Sequence, residues 1–228
     1  MKLLKDFLNL IFPDCCYSCQ GVLLEKEHKI CTACRANLPF TNFHRHKPQD
    51  NPITQKFFGK IPIRCGLAFL QFSKSGKVQR ILHQIKYQNQ PELAQMLGEW
   101  YGYELSKHRV NNFDYILPVP LHPSKLKIRG YNQSDYFAEG LSRQMQVTWT
   151  NELLLRNTAT STQTKKSRLE RWKNVENVFE ISQPELIAEK SVLIVDDVVT
   201  TGSTLEACAK TLLAARAKSI SVAAIAIA

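Results

Sequence analysis

The sequence predicts an α/β protein with a mostly parallel sheet flanked by helices and a small metal-binding ribbon at its amino-terminal end. Three observations support this prediction. Segments with strand-like and helix-like apolar spacing alternate along most of the 228 residues. An uninterrupted aliphatic run at 192–195 has the composition of a strand buried on both faces. Two Cys-x-x-Cys pairs stand close together near the start of the chain.

Residues 1–40 are predicted to form a helix followed by a zinc ribbon. The apolar residues of 1–12 share one helical face, and no small-residue cleavage site follows them. A helix docked on the domain therefore fits better than a signal peptide, and a helix on a membrane surface is the alternative. No apolar stretch reaches membrane-spanning length, and the expected compartment is the cytoplasm.

Four of the seven cysteines form two Cys-x-x-Cys pairs with eleven residues between them. Each pair can offer two thiolates from one tight turn, and two such turns complete a tetrahedral zinc site. A structural zinc ion would stabilise a segment too short to bury much apolar surface. Cys15 is an alternative ligand, although only its neighbour has Cys-x-x-Cys spacing. The predicted ligands are Cys16, Cys19, Cys31 and Cys34.

The remaining chain divides into a segment at 41–60, predicted to be a linker or irregular wrap, and a main domain at 61–228. The 41–60 segment contains prolines and few periodic apolar residues. Strands of the main domain are predicted at 65–72, 114–119, 152–155, 192–195 and 219–228. Helices are predicted at about 78–87, 91–105, 133–146 and 203–216. This alternation is typical of a parallel sheet.

The aliphatic strand at 192–195 leads into two adjacent acids, Asp196 and Asp197. We expect them at the carboxyl end of the strand, where parallel sheets bind ligands. Buried paired acids require a cation or hydroxyl donors, and the next loop offers amides and the positive end of a helix dipole. The run therefore suits a phosphorylated sugar, and an acidic turn before a capped helix is the alternative. The loop residues are Val199, Thr200, Thr201, Gly202, Ser203 and Thr204.

A second polar segment follows the predicted strand at 114–119. Arg129 can bind phosphate oxygens through two hydrogen bonds. Tyr131 could stack on a base, with Asn132 and Gln133 bonding to its edges. The alternative assigns Asn132 to helix capping and Tyr131 to packing.

The chain carries a net charge of +10, which favours an anionic partner such as a polyphosphate or a nucleic acid. The basic residues gather near 74–86, 122–129 and 165–173. Solvated surface charge without a ligand is the alternative. The predicted contacts to pyrophosphate or nucleic acid in the first and third groups are Lys86, Tyr87, Lys165, Arg168 and Arg171.

The run at 192–204 resembles the phosphoribosyl-pyrophosphate signature of type I phosphoribosyltransferases, in which four aliphatic residues, two acids and a Thr-Thr-Gly loop follow in order. Further motifs make the chain similar to the ComF family of competence-associated proteins. They are the Pro-x-x-Cys-x-x-Cys start, Lys86-Tyr87, the Pro-Val-Pro-Leu-His and Arg-Gly-Tyr-Asn-Gln-Ser segments, and Gln163, Arg171 and Asn174. The resemblance implies a type I phosphoribosyltransferase-like fold behind the zinc ribbon.

The resemblance also implies roles for the site residues. Asp196 and Asp197 would contact ribose hydroxyls directly or through magnesium, and residues 199–204 would wrap the 5′-phosphate. The implied protein is a cytoplasmic factor that binds phosphoribosyl pyrophosphate and aids the handling of internalised single-stranded DNA in natural transformation or DNA utilisation, alongside DNA-uptake or recombination proteins. An active phosphoribosyltransferase, with the acid pair as catalytic residues and an unidentified nucleobase-like acceptor, is the alternative. A nucleic-acid-binding module and a protein-interaction scaffold are further hypotheses.

Overall fold

The computed structural model describes residues 13–157 and 178–228. The predicted helix within 1–12 and the basic residues Lys165, Arg168 and Arg171 lie outside the described residues. The strands are β1 (Cys65–Gln71), β2 (Tyr115–Pro118), β3 (Thr148–Trp149), β4 (Leu154–Arg156), β5 (Phe179–Ile181), β6 (Ser191–Val199) and β7 (Ser219–Ile227). The α-helices are α1 (Thr32–Ala36), α2 (Pro52–Gln55), α3 (Lys77–Tyr87), α4 (Pro91–Lys107), α5 (Pro123–Arg129), α6 (Gln133–Met145), α7 (Pro184–Ile187) and α8 (Ser203–Ala214).

Five strands form one parallel sheet in the order β1-β7-β6-β2-β3. The two longest strands, β6 and β7, stand side by side within it. A strand covered on both faces needs a continuous apolar run, and the buried residues at 192–195 and 220–227 supply one. The predicted mostly parallel α/β fold is confirmed.

Each face of the sheet packs against its own set of helices. Leu193 and Val195 belong to the apolar core that includes α3, α4 and α6, whereas Val192 and Ile194 belong to the core that includes α8. This division follows from the two-residue repeat of a strand, which sends successive side chains to opposite faces.

Helices α4 and α6 approach each other closely at glycine positions. A Cβ atom on Gly140 would lie 2.1 Å from the carbonyl oxygen of Gln95, and one on Gly98 would lie 2.4 Å from that of Phe137. Both distances are shorter than a carbon–oxygen contact permits, so the backbones can meet only where side chains are absent. The close packing fixes the amino end of α6, which carries several site residues.

Several elements differ from the prediction. Strand β6 continues to Val199, because β7 pairs with it as far as Ile227. Strand β4 lies outside the main sheet and pairs with β5 in an antiparallel ribbon. The sequence did not predict α5, β3, β5 or α7. Helix α5 buries no side chain, so it has no apolar repeat by which to recognise it.

The 41–60 segment folds around the edge of the domain through short helical turns. Asn51 is fully buried; its Oδ1 accepts hydrogen bonds from the amides of Ile53 and Thr54, and its Nδ2 donates to the carbonyl of Gly66 in β1. The side chain of Phe57 is also buried and reaches the loop after β6. Through Phe57, the 41–60 segment therefore packs against the loop that follows β6.

Candidate functional site

The two acids lie at a step in the sheet. The last residue pair that joins β2 to β6 is Pro118 with Val195, while β7 continues beside β6 as far as Val199. Asp196 and Asp197 therefore extend past the end of β2. The sequence predicted them at the end of β6; they lie inside that strand, at the point where its pairing with β2 stops.

Asp197 is a compensated carboxylate. Its side chain is almost completely buried, and its Oδ2 atom lies 2.8 Å from Nζ of Lys86. The same oxygen accepts a hydrogen bond from Nε2 of Gln133. A buried charge needs such a counter-charge and hydrogen bonds. Lys86 is thus placed at the acid pair, where it balances one of the two negative charges.

Asp196 is held by neutral donors. Its Oδ1 atom accepts hydrogen bonds from the amide of Asp197 at 2.8 Å and from the Ser134 hydroxyl at 3.4 Å. Among the described residues no basic nitrogen lies within 4.0 Å of its carboxylate. Burial and the charge of Asp197 raise the pKa of Asp196 to about 7. A bound cation or a set of hydroxyl donors would relieve this excess of negative charge.

A cleft of about 230 Å³ opens over the acid pair. Its wall combines Asp196 and Asp197 with Thr204, at the start of α8. The basic side chains in the same wall are Lys86, Lys125, Arg129 and Arg156. A cleft with acids on one part of its wall and cations on another matches a ligand that has both hydroxyl and phosphate groups.

The loop after β6 turns sharply at Gly202. That residue has a φ of +82°, and a Cβ atom there would lie 3.0 Å from Cζ of Phe57, so glycine fits for both conformational and steric reasons. Gly202, the N-cap residue of α8, has no side chain to cap the helix, and the Ser203 amide donates to Oγ1 of Thr201 at 3.4 Å. The following first-turn amides and the exposed hydroxyls of Thr201 and Ser203, 2.9 Å apart, are available to an anion.

Two of the predicted loop residues also make contacts within the fold. Val199 belongs to β6, its side chain is buried in the core, and its carbonyl accepts the amide of Ala228. It therefore does not wrap a ligand with its side chain. The carbonyl of Thr200 accepts a hydrogen bond at 3.0 Å from Nζ of Lys56, so the 41–60 segment holds the loop directly.

The second polar segment connects to the acid pair through Gln133. One end of its amide contacts Asp197, and the other accepts a hydrogen bond from Nη1 of Arg129. Asn132 caps α6 by accepting the amide of Ser134, and it donates to the carbonyl of Val119. Asn132 therefore has the capping role of the alternative interpretation, because these bonds occupy both ends of its amide.

The two tyrosines differ in exposure. Tyr131 is buried, donates its hydroxyl to the carbonyl of Ile85 and packs edge-on against Tyr136. These contacts agree with the alternative interpretation, in which Tyr131 is a packing residue. Tyr87 is 67% exposed, and the guanidinium of Arg129 lies 5.7 Å from its ring centroid.

The four predicted metal ligands meet in the amino-terminal segment. The Sγ atoms of Cys16, Cys19, Cys31 and Cys34 all lie within 4.8 Å of one another. Burial raises the pKa of the Cys16 thiol, but amide donors, including those of Cys31 and Ser18, outweigh this effect and lower it to about 7. The exposed Cys15 thiol lies outside the cluster and donates to the carbonyl of Pro13.

Comparison with known proteins identifies the family. The family model named phosphoribosyl transferase domain matches residues 134–227. A DNA utilization protein, YhgH, of Escherichia coli O157:H7 is 30% identical over 93% of this chain and 96% of its own length. The chain belongs to the ComF/YhgH family. Competence protein F of Haemophilus influenzae is 28% identical over 86% of this chain and 90% of its own length.

Membership of the ComF/YhgH family agrees with the resemblance that the motifs indicated. Competence protein ComFC of Bacillus subtilis is 24% identical over 84% of this chain and 80% of its own length. Among solved structures, an allosteric regulatory enzyme of purine biosynthesis aligns with 56% of this chain and 25% of its own length, at 19% identity and a TM-score of 0.41. Within residues 13–157 and 178–228, no helix is long and apolar enough to cross a membrane.

Ser134, which donates to Asp196, and three basic residues of this ComF/YhgH-family site were not among the predicted site residues. Arg156 reaches the cleft from the short strand β4, and Lys56 reaches the loop from the 41–60 segment. Lys125 lies on α5 beside Arg129. The basic group at 122–129 was a signal for Lys125, whereas the other two basic residues stand alone in sequence and only folding brings them to the site.

Proposed function

We propose that the cleft binds phosphoribosyl pyrophosphate together with Mg²⁺, and that the chain acts as a phosphoribosyl-pyrophosphate-binding factor in DNA utilisation. One observation carries this proposal. The paired acids, Thr204 at the start of α8 and a basic wall border the same cleft. Each of the three matches one part of the ligand, which consists of a ribose with hydroxyls, a 5′-phosphate and a pyrophosphate.

Different residues would contact different groups of phosphoribosyl pyrophosphate. The 200–204 loop and the amino end of α8 would hold the 5′-phosphate through amides and hydroxyls. Asp196 and Asp197 would accept the ribose hydroxyls, and Arg129 and Arg156 would face the pyrophosphate. Binding would orient the sugar and neutralise its phosphates, which are the contributions a protein makes in phosphoribosyl chemistry.

The donor set fits Mg²⁺. This cation prefers carboxylate oxygens and phosphates over nitrogen or sulfur ligands, and the acid pair places two carboxylates beside the cleft, with Lys86 compensating one of them. When bound, Mg²⁺ would offset the charge of the pyrophosphate and of Asp196. Asp197 would keep Lys86 and Gln133 as its own partners.

The four-cysteine cluster fits a structural zinc ion. Four thiols within 4.8 Å of one another satisfy a tetrahedral zinc site, and the chemistry of thiolates excludes Mg²⁺ as the occupant. The cluster lies apart from the acid pair in sequence and shares no residue with the cleft wall. Zinc would hold the two turns together and contribute to folding.

Single-stranded DNA is the proposed second partner. Beside the cleft lies a hollow of about 360 Å³ lined in part by Tyr87, Ile128, Lys125 and Arg129. The Tyr87 ring and the Ile128 side chain there are exposed, with Ile128 at 87%, whereas the Tyr131 ring in the same wall is buried. An exposed ring among basic side chains can stack a base and pair with its phosphate. If the protein transfers phosphoribosyl groups, a nucleobase-like acceptor would occupy the same hollow.

Calorimetry tests the principal proposal. Phosphoribosyl pyrophosphate is titrated into the protein with and without MgCl₂, and the titration is repeated with Asp196→Asn/Asp197→Asn. We expect the double substitution to weaken binding at least about a hundredfold, since two lost charge-assisted contacts are each worth about 1.5–3 kcal/mol. The magnesium dependence should disappear with it.

The control is Glu185→Gln/Glu189→Gln, which removes two exposed carboxylates outside the cleft wall. Its affinity should equal that of the unmodified protein. Thermal unfolding establishes that both double variants fold. Binding that survives in the folded Asp196→Asn/Asp197→Asn protein would show that the acid pair does not receive this ligand.

A further inference from the structure

Away from the cleft and the cysteine cluster, a second group of metal-ligating side chains comes together. His44 belongs to a 3₁₀ turn at 43–45, whereas Glu104 and His108 are four residues apart on α4 and at its carboxyl-terminal cap. Residues four apart on a helix face the same way. The fold of the 41–60 segment places His44 opposite that face.

The three side chains have the geometry of a ligand set. One ligand atom from each residue lies within 4.8 Å of the others. The rings of His44 and His108 have centroids 4.9 Å apart, and Nε2 of His108 lies 3.9 Å from Oε2 of Glu104. Two ligands of a zinc ion, each about 2.1 Å from the metal, lie at most about 4.2 Å apart. Small side-chain rotations would bring the three atoms to that spacing.

The environment of His44 indicates that its ring binds a group that is not part of the chain. Both of its ring nitrogens are shielded from solvent and have no hydrogen-bond partner among the described residues. Buried polar atoms are normally paired, and an imidazole with two unpaired nitrogens is costly to bury. A neutral imidazole has a lone pair on one ring nitrogen, which can coordinate a metal ion.

We propose that His44, Glu104 and His108 form a second metal site, which binds a divalent first-row transition ion of the zinc class. Two imidazoles and one carboxylate suit such an ion rather than Mg²⁺ or Ca²⁺, which prefer oxygen ligands. The site shares no residue with the cysteine cluster or with the wall of the cleft over the acid pair.

The surroundings give this site both access and a structural consequence. His44 and Glu104 line a cavity of about 520 Å³, which leaves room for a water molecule as a further ligand. The ion would tie the 41–60 segment to α4. The same segment contains Lys56, which bonds to the loop after β6, so the metal would stabilise a part of the chain that supports the cleft.

Cobalt titration of the whole chain, loaded with one equivalent of zinc so that only the four-cysteine cluster is filled, provides the test. Co²⁺ bound to nitrogen and oxygen ligands gives visible d–d absorption without the thiolate charge-transfer band that a cysteine site adds. We expect the protein to bind one equivalent of Co²⁺ with the first kind of spectrum, and His44→Gln or Glu104→Gln to weaken this binding at least about tenfold. Zn²⁺ should displace the cobalt.

His46→Gln is the matched control, because His46 is two residues from His44, is exposed and lies outside the cluster. It should bind Co²⁺ as the unmodified protein does. Glu104 is partly exposed, so Glu104→Gln should fold even if His44→Gln does not. The proposal is overturned by a protein that takes up no extra cobalt, by uptake with a thiolate band, or by a folded Glu104→Gln variant with unchanged affinity.

Discussion

At the scale of single residues, the site depends on how two adjacent carboxylates, Asp197 buried and Asp196 partly buried, are held side by side. Asp197 has Lys86 and Gln133 as partners, whereas the partners of Asp196 are neutral donors. The unequal partners explain why the pKa of Asp196 is raised to about 7 by burial and by the charge of its neighbour. The protein without a ligand therefore holds a carboxylate that is poorly stabilised at neutral pH.

This imbalance predicts how stability depends on pH. Because the folded state binds the Asp196 proton more tightly than the unfolded chain, its contribution to the free energy of unfolding falls as pH rises from about 4 to about 7. A shift of about three pKa units corresponds to at most about 4 kcal/mol. Asp196→Asn should remove this loss, so that the variant is more stable than the unmodified protein at pH 8 and differs little from it at pH 4.

Denaturant unfolding at a series of pH values measures this difference. Asp50→Asn, a change at an exposed carboxylate of the 41–60 segment, is the control and should follow the unmodified protein throughout. Parallel pH profiles for Asp196→Asn and the unmodified protein would mean that Asp196 does not titrate at a raised pKa in the folded state.

At the scale of secondary-structure elements, the contact of α4 with α6 decides where the site residues stand. Gln133 and Ser134, which contact the acids, begin α6. The helix can approach α4 only because Gly98 and Gly140 leave space for the opposite backbones. The apolar repeats predicted both helices, but they did not indicate that the helices would touch at these glycines.

Gly140→Ala should therefore destabilise the protein. The added Cβ would lie 2.1 Å from a backbone oxygen of α4, and the helices must separate to admit it. Overpacking of this kind costs about 1–3 kcal/mol. Denaturant unfolding should show a midpoint shift of that size, with Ser142→Ala on the same helix as the control. Equal stability of the two variants would mean that the helices separate without cost.

At the scale of the whole molecule, the main feature is the distribution of charge. The chain has a net charge of +10, and several of its basic side chains surround the acid pair in the wall of the cleft. The basic wall of the cleft continues into the hollow beside it through Lys86, Lys125 and Arg129. One continuous basic surface can therefore serve both a sugar pyrophosphate and the backbone of a single strand. The affinity of this surface for nucleic acid would depend on long-range electrostatic attraction, which salt screens.

Single-stranded DNA should thus bind with an affinity that falls steeply as salt rises. Each phosphate neutralised on a single strand contributes about −0.7 to the slope of log K against log salt. Lys125→Gln/Arg129→Gln should reduce the steepness by up to about 1.4, whereas Lys107→Gln/Arg109→Gln, at the carboxyl end of α4, removes equal charge and should change it little. Fluorescence anisotropy with an oligonucleotide measures the slopes. A flat salt response of the unmodified protein would count against DNA binding.

Short sequence motifs were sufficient to predict those functional groups whose residues are neighbours in the chain. The acid pair with its loop and the Cys-x-x-Cys pairs could be recognised because the residues that act together are neighbours in sequence. Sequence motifs did not indicate Arg156, Lys56 or the meeting of His44 with Glu104 and His108. The partners of these residues are distant along the chain. The sequence left the role of Tyr131 open, because the exposure of a ring depends on the residues that pack over it, and its partners Ile85 and Tyr136 belong to α3 and α6.

The amino-acid sequence alone determined the parallel α/β class, the family and the residue types available for a sugar phosphate, because periodicity and short motifs are properties of neighbouring residues. Only the tertiary structure decided that the acids stand at a step between β2 and β6, that Lys86 compensates Asp197, and that His44 meets the end of α4. The physical reason is that burial and charge pairing act through space, where segments far apart in the chain become neighbours.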